Sequence, residues 1–186
     1  GSRIFENVIV EAFNENEIIG DNRIGSDFGF TNDPTTAIYT KYDRKNKRIY
    51  IYDEFYRIGV KSKPLAKLYQ SKTNLHPNTK NAIIYGDSAE PRLMAELRGL
   101  GIKIYGTVDK AILKRIDWLQ QHTFIVHPRC KHTIEEFLLY VWMERDGVAY
   151  NEPVDKNNHC MDALAYGYCK DWTHSGKIVG SKSTLY

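Results

Sequence analysis

Ala82-Ile83-Ile84-Tyr85-Gly86-Asp87-Ser88-Ala89-Glu90-Pro91 leads, by way of Leu93, Met94, Leu97 and Leu100, to Ile102-Lys103-Ile104-Tyr105. The apolar run 82–86 has the length of a buried strand and stops at a carboxylate. Pro91 suits a first helical turn, where its missing N–H is not needed, and the four apolar residues that follow share one face. Gly99 and Gly101 mark the end of that helix, and residues 102–105 read as the next strand.

Working outward, residues 23–28 read as a short strand, and residues 36–42 and 47–56 alternate apolar with polar as half-buried strands do. Asp43-Arg44-Lys45-Asn46 between the last two is a hairpin turn, so an antiparallel meander is expected. Residues 63–72 then turn helical. On the other side, residues 109–121 read as a helix, 123–126 as a strand, 133–139 as a helix and 140–150 as a hairpin turning at Asp146-Gly147. A last helix is expected from about Asn158 to Lys170. A meander followed by strands alternating with helices indicates an α/β fold, a mixed β-sheet flanked by helices on both faces.

The chain has 186 residues, 42% hydrophobic and 26% charged, which suits one compact domain with a sizeable core. That domain is expected over residues 22–173, after a tag remnant (Gly1-Ser2) and a linker or N-terminal extension (3–21), and before a flexible tail (174–186). No run approaches the roughly 18 apolar residues that span a bilayer, so no membrane partner is expected. Three cysteines are too few and scattered for a disulfide framework and fit a reducing compartment. A net charge of +3 is too small to announce a nucleic-acid partner. Its distribution says more: Lys41, Arg44, Lys45, Lys47 and Arg48 form one basic group, Arg57, Lys61, Lys63 and Lys67 a second, and Lys110, Lys114 and Arg115 a third.

Asp27 in Gly25-Ser26-Asp27-Phe28-Gly29 and Asp87 in Tyr85-Gly86-Asp87-Ser88 each end a strand, where the crevice of an α/β sheet opens. The glycines beside Asp27 are expected to let the backbone turn and a metal or phosphate come close. In the last helix Met161, Leu164, Ala165 and Tyr168 make the buried stripe, while His159, Asp162 and Tyr166 share the adjoining face. The helix dipole favours an ionised Asp162 in the first turn. Three unpaired carboxylates held close repel one another unless cations neutralise them, which points to magnesium or manganese, in a pair of ions, with Glu54 as a further candidate ligand. The run from His127 to His132 lacks the ligand spacing of a zinc site. No phosphate-binding loop of the Gly-x-x-x-x-Gly-Lys-Ser/Thr type occurs, nor a Gly-x-Ser-x-Gly nucleophile turn.

Taken together, Gly25-Ser26-Asp27-Phe28-Gly29 with Asn32-Asp33-Pro34, then Tyr52-Asp53-Glu54, Gly86-Asp87-Ser88-Ala89-Glu90-Pro91 and His159-Cys160-Met161-Asp162-Ala163-Leu164 resemble the C-terminal nuclease domain of tailed-phage terminase large subunits. The resemblance covers about Asn22 to Trp172. It implies a ribonuclease H-like fold and a packaging endonuclease that cuts concatemeric double-stranded DNA with Mg2+ or Mn2+. The family's catalytic aspartates fall on Asp27, Asp87 and Asp162, and its histidine near the third on His159. It further implies an N-terminal ATPase motor in the full-length protein, a terminase small subunit and the portal as partners, and a place in the host cytoplasm. One departure is Thr107-Val108-Asp109-Lys110-Ala111-Ile112, where the family often has a Gly- and Ser-rich turn after a basic residue. The residues by themselves leave two alternatives: another ribonuclease H-like nuclease of junction-resolvase or transposase type, and a non-catalytic DNA-docking module.

Overall fold

The computed structural model describes residues 1–107 and 111–174. Its strands are β1 (Val8–Val10), β2 (Asp21–Asp27), β3 (Pro34–Asp43), β4 (Arg48–Ile58), β5 (Ile84–Asp87), β6 (Ile104–Thr107), β7 (Thr123–Val126), β8 (Trp142–Arg145) and β9 (Val148–Pro153). Its helices are α1 (Ser62–Leu75), α2 (Pro91–Gly99), α3 (Ile112–Gln120), α4 (Lys131–Leu139) and α5 (His159–Gly167), with further helix at 169–174.

Seven strands form one sheet in the order β1-β7-β4-β3-β2-β5-β6. β2, β3 and β4 are the antiparallel meander read from the alternation, and β5 and β6 extend it in parallel from β2, as β7 and β1 do from β4. Two apolar cores cover the two faces. One gathers Ile38, Ile49 and Phe124 with residues of α3, α4 and α5, among them Ile116, Phe137 and Leu164. The other sets Ile24, Tyr39 and Ile84 against Leu65 and Tyr69 of α1 and Met94 and Leu97 of α2. β8 and β9 form a separate hairpin through Asp146 and Gly147, both at positive φ, as a tight two-residue turn requires.

Two expectations are corrected. Segment 3–21, expected as a linker or extension, packs on the domain: Ile4 and Phe5 are core residues and β1 is an edge strand beside β7. β3 is buried along both faces instead of one, because helices lie above and below the middle of the sheet. Its threonines are tolerated there because they are bonded, Thr40 Oγ1 donating to the Arg23 carbonyl at 2.8 Å. α3 is described only from Ile112, so the expected start of that helix at Asp109 lies outside the described residues, as does the tail beyond His174.

Candidate active site

Asp27 ends β2 and Asp87 ends β5. The two strands are parallel neighbours with Ser26 opposite Gly86, so the next residues stand side by side at the carboxyl ends, their backbones about 4.8 Å apart. This is the edge of the sheet where α/β folds place ligands. Asp87 is held in direction by the Ala89 N–H, which donates to its Oδ1 at 2.9 Å.

Gly25 does not make the turn expected of it, since it lies inside β2. A Cβ there would sit 1.7 Å from the Ala163 carbonyl oxygen and 2.5 Å from the Gly167 nitrogen. Only a residue without a side chain lets the backbone of α5 rest on β2, and Gly167 on the helix answers it, its own Cβ position being 2.9 Å from the Gly25 nitrogen. That contact brings the first turn of α5, with His159 and Asp162, up to the strand ends.

Asn158 offers α5 no side-chain cap. Glu136 of α4 caps it across space, its Oε1 accepting the N–H groups of Cys160 at 2.7 Å and Met161 at 3.2 Å. Thr36 Oγ1 donates to the His159 carbonyl at 3.2 Å, tying the same turn to β3.

Side-chain contacts then join helix to strand. His159 Nδ1 lies 3.2 Å from Asp27 Oδ2, and this bond raises the imidazole pKa. Burial raises the Asp27 carboxyl, with the His159 bond opposing it. Asp162 is not the unpaired carboxylate that the sequence leads one to expect. Its Oδ1 accepts from the Arg115 guanidinium of α3, although burial still pushes its pKa up to about 7. Arg115 itself is 4% exposed, and its centre lies 5.3 Å from the Tyr166 ring. Of the third basic group, then, Arg115 points inward, Lys114 lies 5.8 Å from the Trp172 ring centre and Lys110 is outside the described residues.

Glu54 is placed elsewhere. Its Oε2 accepts from the His132 N–H at 3.3 Å and faces His132 Nδ1 at 2.7 Å, and its Oε1 accepts from the Thr133 N–H and Oγ1, both at 2.9 Å. Those bonds cap α4 and turn both oxygens of Glu54, the further candidate ligand, to donors of that helix.

Carboxylate oxygens with one imidazole suit magnesium or manganese. As the side chains stand, among the described residues no three His, Cys, Asp or Glu are arranged to hold an ion, Asp162 being turned to Arg115. The donor chemistry fits the metal, and in the present arrangement one of the three carboxylates, Asp162, is in an ion pair with Arg115.

The model of the terminase RNase H-like domain family matches residues 27–169, a span that begins on Asp27 and includes Asp87, His159 and Asp162. The chain belongs to that family. This RNase H-like domain is also 28% identical over 161 residues to the large terminase subunit of Bacillus phage SPP1, a match taking in 83% of the chain and 37% of that protein's length. In structure it is similar to the SPP1 large terminase nuclease domain determined with bound Mn, with a TM-score of 0.80 and 26% identity over 91% of this chain and 99% of that one. The P22 large terminase nuclease domain shares the fold, with a TM-score of 0.64 and 18% identity over 90% of this chain and 91% of that one. So does the thermophilic phage G20c nuclease with bound magnesium, at 0.57 and 15% over 89% and 92%. The mixed sheet with helices on both faces is thus the ribonuclease H-like fold, and the domain is a terminase nuclease domain. Among the described residues no helix is long and apolar enough to cross a membrane.

Proposed function

We propose that this domain is a divalent-metal-dependent endonuclease that cuts concatemeric double-stranded DNA during viral genome packaging. The observation that carries the proposal is the meeting of Asp27 and Asp87, side by side at adjacent strand ends, with His159 and Asp162 on the first turn of the helix seated against them. Asp27, Asp87 and Asp162 would hold Mg2+ or Mn2+, two ions in the full site, whose chemistry is to activate a water and neutralise the phosphate. The manganese of the SPP1 domain and the magnesium of the G20c domain support that choice.

The chain's own residues do the rest. The Nδ1 bond to Asp27 orients the His159 ring and makes it more basic, which suits proton transfer at its other nitrogen. Glu136 and the Gly25–Gly167 contact hold α5 in place, and with it both functional side chains. Lysines and arginines near the cleft supply phosphate contacts. In a longer protein, an N-terminal ATPase motor, a small subunit and the portal would bring DNA to this site in the host cytoplasm, with the present domain as the cutting unit.

Supercoiled plasmid incubated with manganese, magnesium or chelator tests the reading. Cleavage is expected with metal alone, and Asp27→Ala, Asp87→Ala or Asp162→Ala should abolish it while circular dichroism shows the fold intact. Full activity in any one variant removes that residue from the site, and cleavage in chelator overturns the metal assignment. Cutting of branched DNA but not linear duplex would favour a resolvase.

A further inference from the structure

We propose that Arg115 is the resident counter-cation of the acidic site: without metal its guanidinium holds Asp162 Oδ1, and a divalent ion has to displace it to gain that oxygen. The inference rests on the reading of Asp27, Asp87 and Asp162 as the metal-holding residues.

Arg115 sits in the first turn of α3, a helix whose Ile116 and Leu119 belong to the core. An arginine there is free to send its flexible stem outward to water, as arginines usually do. This one is buried instead, with one guanidinium nitrogen on Asp162 Oδ1 and its centre near the Tyr166 ring. A buried guanidinium is stable only where an anion meets it, and a buried carboxylate only where a cation does. Each therefore accounts for the other's position.

The pair also has a consequence for the neighbours. Asp27, Asp87 and Asp162 bring three carboxylates to one corner of the sheet, where they repel unless neutralised. His159 faces Asp27, and Arg115 faces Asp162. A magnesium ion binds carboxylate oxygens at about 2.0 to 2.1 Å, a shell in which a guanidinium on the same oxygen brings like charges into contact. Metal and Arg115 are therefore rivals for Asp162 Oδ1. Metal uptake is an exchange of cations, and its affinity is set partly by how firmly Arg115 holds on.

Free Mn2+ counted by electron paramagnetic resonance tests this on the whole domain as wild type, Arg115→Met and Arg115→Lys. Arg115→Met keeps an apolar stem and removes the charge. It should bind Mn2+ roughly tenfold or more tightly than wild type. It should also melt lower in chelator, with more of the loss restored by Mn2+ than wild type gains. Arg115→Lys, keeping the charge, should bind Mn2+ within a few-fold of wild type. Unchanged or weaker Mn2+ binding in a folded Arg115→Met would overturn the proposal, making Arg115 a packing residue or a support that aims Asp162. Should Arg115→Met not fold, the Arg115 Nε–H resonance of the wild type is followed while Mg2+ is added. A shift and faster exchange are expected at saturation, and an unmoved signal overturns the exchange. Plasmid cleavage with Mn2+ by a wild type whose Arg115 variant gains no affinity sinks this inference alone. A wild type that takes up no Mn2+ at millimolar concentration sinks the metal reading with it.

Discussion

Replacing Asp162 by asparagine should remove a distinct part of the stability loss that the metal-free domain undergoes on going from mildly acid to mildly alkaline solution. Burial holds the Asp162 carboxyl up to about 7 in the folded state, against 3.8 for an exposed carboxyl, in spite of Arg115. Between those two values the folded chain binds more protons than the unfolded one. This contribution is therefore fully present below about pH 4 and is lost as the pH rises through about 7. A shift of about three pKa units corresponds to roughly 4 kcal/mol in all, more than half of which falls between about pH 5 and pH 8. Asp27, Glu136 and His159 are also raised and slope in the same direction, so the wild-type curve is a composite. The difference between wild type and Asp162→Asn isolates the one group. Loss of its partner by Arg115 shifts the variant's stability by a constant over this range, because the guanidinium does not titrate there. Urea unfolding in chelator, at several pH values for both proteins, gives the difference directly. Parallel curves from pH 5 to pH 8 would show that Asp162 is ionised throughout, and the argument from burial would fall. With saturating Mn2+ the wild-type loss should shrink, since the metal takes the ionised carboxylate.

Gly25→Ala should destabilise the domain by about 3 kcal/mol or more, because the added methyl meets the backbone of α5 instead of a side chain that can move; an unchanged denaturant midpoint would show that α5 is not seated on β2 in this way. Glu54→Ala removes the acceptor of four bonds at the start of α4 and should cost about 1 to 2 kcal/mol in urea unfolding while leaving Mn2+ affinity as it was. A loss of Mn2+ binding equal to that of Asp87→Ala would return Glu54 to the ligand set. His159→Ala should slow cleavage by about a hundredfold and spare metal binding. Loss of metal binding equal to that in Asp162→Ala would make His159 a ligand, and unchanged cleavage would leave it structural.

The elements that depend on neighbours along the chain are legible in the amino-acid sequence itself. Alternation over residues 36–42 and 47–56 marks β3 and β4, Pro91 with the leucines after it marks α2, and Asp146-Gly147 marks the β8–β9 turn. Asp27 and Asp87 can be seen to end strands for the same reason, since strand periodicity and turn residues act over two to four positions. What the local pattern cannot determine is which distant groups meet. Arg115 lies 47 residues from Asp162, Glu136 lies 24 from Cys160, and Glu54 lies 79 from Thr133. In the sequence each is one charged residue among many, as suited to solvent as to the interior. Only packing decides, because the sheet order β1-β7-β4-β3-β2-β5-β6 and the close seat of α5 on Gly25 determine which side chains lose their water. A charge that loses water must find a partner or give up its proton, so the tertiary structure turned Arg115 to Asp162 and Glu54 to the start of α4, while burial of apolar surface placed Ile4, Phe5 and β1 on the domain.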